Sequence, residues 1–148
     1  MRLAALLLLA LALAGCGPKT DTLADFGSRL VTLPAGRQIR AEVLINPQDM
    51  ARGMMFRDSL APDRGMLFLH AEAGNYPYWM YQVRIPLDII WMDSERRVVE
   101  IAANTPPCKT GPGQCPTYGG HFRAQYVLEL AGGMAAKYGI KPGETLEF

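Results

Sequence analysis

The stretch Leu87-Asp88-Ile89-Ile90-Trp91-Met92-Asp93-Ser94-Glu95-Arg96-Arg97-Val98-Val99-Glu100-Ile101-Ala102 decides the fold class. Branched and aromatic residues crowd its two ends, and the polar run Asp93 to Arg96 divides them. That arrangement predicts two strands joined as a hairpin. Side chains alternate across a strand, so Leu87, Ile89 and Trp91 share one face while Asp88, Ile90 and Met92 share the other. Both faces are apolar apart from Asp88, which predicts partly dry surroundings for that carboxylate.

Further strands are expected on either side. Arg37 to Ile45 alternates, with Ile39, Ala41, Val43 and Ile45 on one face and Arg40 and Glu42 on the other. Gly65 to His70, Tyr76 to Tyr81, Tyr126 to Leu130 and Thr145 to Phe148 are bounded by turn residues and read the same way. Asn46-Pro47 is an N-cap followed by Pro at the first helical position, and Gly53 is a stop, so a short helix lies between them. A second short helix is expected from Gly132 to Tyr138, closed by Gly139. Many short strands and two brief helices predict a mainly β domain, an antiparallel sandwich or barrel. A parallel sheet would need crossover helices that this sequence lacks.

Residues 1–15 carry a different signal. Arg2 is followed by an unbroken Leu/Ala run, Leu3 to Leu13, and then Leu13-Ala14-Gly15-Cys16. A positive start, a short apolar run and small residues predict a cleaved signal peptide. The run falls short of the roughly 20 residues that a membrane-spanning helix needs. Its ending resembles the bacterial lipobox, which implies acylation of Cys16 and a lipid anchor. Gly17 in place of Asp favours the outer membrane, facing the periplasm. Residues 16–28 are expected to be the lipidated Cys and a flexible tether, and 29–148 a single domain. A cut before Cys16 removes 15 of the 148 residues together with Arg2, leaving 14 basic and 14 acidic side chains. A neutral domain lacks the electrostatic footprint of nucleic-acid binding.

Arg52-Gly53-Met54-Met55-Phe56-Arg57, Arg64-Gly65-Met66-Leu67-Phe68, Trp79-Met80, Ile85-Pro86-Leu87-Asp88-Ile89, Tyr126-Val127-Leu128-Glu129-Leu130 and Gly139-Ile140 follow one another in that order. Together they resemble the family called domain of unknown function 192, over roughly residues 38–148. The resemblance implies a compact, mostly β fold of sandwich type, often on exported proteins, and implies no activity. It also marks a departure. Where the family usually carries a Lys-Asn-Thr-like stretch, this chain has Tyr81-Gln82-Val83, so Gln82 stands in for a polar group of any family site.

Asp88 is the foremost candidate for chemistry, as a general base or ligand anchor; the structural reading pairs it with Arg57 or Arg64, or with backbone N–H groups. Arg57 and Arg64 bracket a loop and suit anionic groups. Trp79, with Tyr76, Tyr78 and Tyr81, suggests either an aromatic platform or a core-filling strand. Glu129 reads as a solvated carboxylate, or as the partner of Asp88 in an acid–base pair hydrolysing an envelope polymer. Methionines near His70 or His121 invite copper(I), but without ligand spacing. Cys108 and Cys115 flank a Gly- and Pro-rich turn and read as a disulfide rather than a zinc site, for which His121 leaves one ligand too few. No cofactor is called for. The expected function is a binding or accessory module with a small cleft near Arg57, Arg64, Trp79 and Asp88. A hydrolase is the alternative, and a lipoprotein with no small ligand a third reading.

Overall fold

The computed structural model describes residues 27–148. The expected signal peptide, Cys16 and most of the expected tether lie outside the described residues. The domain is mainly β. Its strands are β1 (Ser28–Thr32), β2 (Gln38–Leu44), β3 (Arg64–Gly74), β4 (Tyr78–Trp79), β5 (Leu87–Met92), β6 (Val98–Thr105), β7 (Thr117–Tyr118) and β8 (Ala124–Ala131). Two short helices, α1 (Pro47–Arg52) and α2 (Met134–Lys137), complete it. The main sheet runs β1-β2-β3-β8-β5-β6, and β4 pairs with β7 beside it.

Pairing is antiparallel except between β2 and β3, which run parallel. That pair departs from the all-antiparallel expectation for a simple reason. Parallel neighbours need a long crossover, and residues 45–63, including α1, supply one. Asn46 caps α1 as its sequence predicts: its side chain accepts from the Gln48 N–H at 2.9 Å, and Gly53 ends the helix at φ 44°. The β5–β6 hairpin also forms as expected, with Asp93 Oδ1 accepting from the Glu95 and Arg97 N–H groups. β1 starts at Ser28, inside the stretch expected to be tether.

The sheet curls until its two edges meet a common segment. Glu147 pairs with Thr32 at the end of β1, while Thr145 pairs with Arg97 just before β6. Residues 145–147 thus close the sheet into a barrel at one end. Val31, Ile39, Leu67, Ile90, Leu128 and Leu146 pack inside it. Alternate residues of the same strands point outward: Met66, Phe68, Ile89, Trp91 and Val127 form a second apolar layer. An exposed layer of that size would be costly in water. Met54, Met80 and Val83, from the crossover and the β4–β5 loop, bury it. Gly119 lies flat on the Trp91 indole at φ 68°, where a Cβ would overlap the ring.

Asp88 points into the barrel and is fully buried. Its Oδ1 accepts from the Asn104 N–H at 2.6 Å and the Gly133 N–H at 3.0 Å, and its Oδ2 from the Ala135 N–H at 2.6 Å. One carboxylate therefore ties β5 to the end of β6 and to the first turn of α2. This overturns Asp88 as a base or ligand anchor and upholds its reading as an acceptor of backbone N–H bonds. Neither Arg57 nor Arg64 is its partner.

Candidate functional site

The outer layer is only partly covered, and a cleft of about 500 Å³ opens between α1, β3 and β4. Met50, Met54 and Met55 form one wall, and Tyr76, Tyr78 and Trp79 the other. Phe68, Leu69 and His70 come from β3, and Glu129 from β8. The size and the apolar, aromatic lining are those of small-molecule sites.

Glu129 is the unusual group. Met66 of β3 and Ile89 of β5 flank it in register, so it sits mid-sheet on the outward face beneath the cover. It is 4% exposed, and its buried Oε2 has no hydrogen-bond partner among the described residues. A buried charge without a partner is costly, so the neutral acid is favoured. Burial pushes the carboxyl up to about 8, against a smaller downward pull from Arg57. Burial thus favours the protonated acid for Glu129, in contrast to the solvated carboxylate expected from its sequence.

The cation nearest in effect is already engaged. Arg57 forks onto Glu42 of β2, with Nη1–Oε1 and Nη2–Oε2 distances of 2.5 and 2.7 Å. That hydrogen bonding raises the guanidinium pKa more than burial lowers it. The pair lines a second, smaller cleft of about 280 Å³, which shares Arg52, Gly53 and Met55 with the first. On the opposite wall, burial pushes the Tyr78 hydroxyl up, helped by Glu129 and Tyr76. The Tyr78 hydroxyl and His70 Nε2 share a hydrogen bond at 3.2 Å. The His70 ring stacks on Tyr76 at 3.5 Å between centroids, and burial lowers its pKa, which favours the neutral ring. Trp79 and Tyr81 lie together at the mouth, ring centroids 5.2 Å apart.

Of the residues singled out in the sequence, the cleft gathers Trp79 and Glu129, with Arg57 just beyond its wall. Arg64 stands apart, its exposed side chain 3.9 Å from Asp63. Asp88 and Glu129 face opposite sides of the sheet, so they form no acid–base pair for hydrolysis. Gln82 lines neither cleft; its backbone is left-handed, at φ 58°. Asn tolerates that conformation better than most residues, so the backbone here would suit the Asn that the family resemblance implies. Cys108 and Cys115 are joined as a disulfide. Among the described residues no three His, Cys, Asp or Glu side chains cluster as metal ligands. The sequence reading missed His70 as a partner of Tyr78 and the methionine wall. One signal was available: Val127 and Glu129 share a strand face, and Val127 is as apolar as a covered face demands.

No protein of curated function matches the chain. A protein of unknown function from Novosphingobium aromaticivorans has a similar solved structure, with 34% identity over 86% of this chain and 89% of that one, and a TM-score of 0.77. A protein from Sinorhizobium meliloti, named as a candidate transcription regulator, is 29% identical over 80% of this chain and 89% of its own, with a TM-score of 0.70. The model of the family DUF192, described as "Uncharacterized ACR", matches residues 30–148. The chain belongs to the DUF192 family.

Proposed function

We propose that this protein is an exported lipoprotein, cut at and anchored through Cys16, whose β domain is a binding module for a small, largely apolar ligand at the cell envelope. The signal peptide, the lipobox and the Gly after Cys16 support the address, at the periplasmic face of the outer membrane. One observation carries the binding reading: an acid whose Oε2 has no hydrogen-bond partner among the described residues, 4% exposed, lines a cleft rich in methionines and aromatic rings. Such a group destabilises an empty fold and becomes useful when a ligand supplies its partner. Apolar walls give affinity, and the single polar group fixes orientation.

Trp79 is 39% exposed at the cleft while Trp91, the other tryptophan, is buried, so intrinsic fluorescence reports on the cleft mouth. A screen of small apolar compounds against the purified protein should find ligands that change this signal, with Trp79→Phe abolishing the response. Ligands that shift the melting temperature equally in wild type and in a Met54→Lys, Tyr78→Ala double variant would place binding elsewhere. For the anchor, labelled palmitate should enter the wild type and not Cys16→Ser.

A further inference from the structure

Resting on that binding reading, we infer that the cleft selects an organic cation, an alkyl- or arylammonium whose N–H groups pair with Glu129 while aromatic rings flank its apolar body. Three observations converge on a positive charge. Glu129 is the acid in the cleft lining, and its Oε2 lacks a partner among the described residues. The guanidinium able to neutralise it, Arg57, is held by both oxygens of Glu42. The wall holds four electron-rich rings, Tyr76, Tyr78, Trp79 and Tyr81, of the kind that attracts cations.

The groups facing Glu129 define the pH behaviour. Arg57 of the covering segment, held by Glu42 of β2, acts on it through its charge, and Tyr78 of β4 feels the charge of Glu129 in turn. His70 of β3 and Tyr76 lie beyond Tyr78, and exposed Arg52 at the end of α1 stands at the cleft wall. In the free protein Glu129 holds its proton. When an ammonium enters, the carboxyl O–H bond breaks, that proton passes to water, and N⁺–H···O⁻ hydrogen bonds form. The ligand keeps its own protons. Binding is therefore coupled to release of a proton by the protein, and amine affinity rises with pH until Glu129 is ionised in the free state.

Three probes with one carbon skeleton test this: phenylbutylamine, phenylbutanol and phenylbutyrate. Each is titrated by calorimetry in two buffers of different ionisation enthalpy near neutral pH. The amine should bind the wild type about tenfold or more tighter than the alcohol. It should release close to one proton per ligand, and lose both its advantage and the proton in Glu129→Gln. Equal binding of amine and alcohol, or preference for the carboxylate, overturns the cation inference while leaving the cleft a binding site. Should none of the three bind or alter Trp79 fluorescence, the binding reading falls with it. Nα-acetyl-lysine methylamide, with its side-chain ammonium free, in place of phenylbutylamine distinguishes a peptide side chain from a free amine as the source of the ammonium.

Discussion

Glu129 pairs with Ile89 across the β8–β5 ladder, so Asp88, one residue along, turns its side chain to the opposite face of the sheet. The two carboxyl groups are neighbours in the register and opposites in chemistry. Asp88 receives three backbone N–H bonds inside the barrel. Glu129, outside it, has a buried oxygen that receives none among the described residues. One holds the fold together and the other strains it.

Asp88→Asn should destabilise the protein by about 3 kcal/mol, since an amide offers one acceptor and turns its NH₂ toward a backbone donor. Asp88→Leu should cost more, because all three N–H groups lose their partner. Urea unfolding of each variant checks this, and ligand binding in the cleft should survive wherever the fold does.

The Glu129 carboxyl gives stability a distinctive pH dependence. Its pKa rises from about 4.3 in an unfolded chain to about 8 in the folded state. Between those values the folded state binds a proton that the unfolded state has lost, so stability falls as pH rises through this window and levels off above it. The fall should amount to roughly 3–5 kcal/mol. Glu129→Gln removes the proton exchange: the variant should gain on the wild type steadily from about pH 5 to about pH 9. Parallel wild-type and variant curves from denaturant unfolding would contradict the burial of a neutral acid.

Gln82 sits at φ 58° and its carbonyl accepts from the N–H of Phe56, itself at φ 67°, so two left-handed residues brace each other beside the cleft. Gln82→Asn should stabilise by about 0.5 kcal/mol, and Gln82→Val should destabilise by more than 1 kcal/mol, because a β-branched side chain fits that region poorly. Paired melting curves would show it.

Cys108 also donates its N–H to the Met80 carbonyl at 3.2 Å, so the disulfide loop anchors the strand that carries Trp79. Joint replacement of Cys108 and Cys115 by Ser should cost about 2.5 kcal/mol in the chain-entropy account. Amide exchange should quicken most around β4 and β7.

Local chemistry made parts of this structure legible in the sequence. Asn46, Pro47 and Gly53 announced α1, and the Asp93 turn announced the hairpin, because their hydrogen bonds close within a few residues. β1 was hidden: Ser28-Arg29-Leu30-Val31-Thr32 is short and mostly exposed, and its partners are β2 and Glu147. The site was hidden for the same reason. Glu129 is dry because a crossover some 75 residues earlier and the β4–β5 loop fold over this face of the sheet, and neither residue type nor alternation carries that information. Asp88 looked suspicious from its apolar strand, and its answer lay in backbone groups 16, 45 and 47 residues away.

Barrel closure by residues 145–147 bears on the order of events in the cell. A chain leaving the ribosome from its first residue forward has no means of joining β1 to β6 until that stretch arrives. Leu146, fully buried, completes the interior only then. Until that moment the sheet has two open edges and an unfilled core, so its long-range pairings are the last to form. Residues 145–147 thus act as the latch of the domain, and the segments made before them stay slack until the latch arrives.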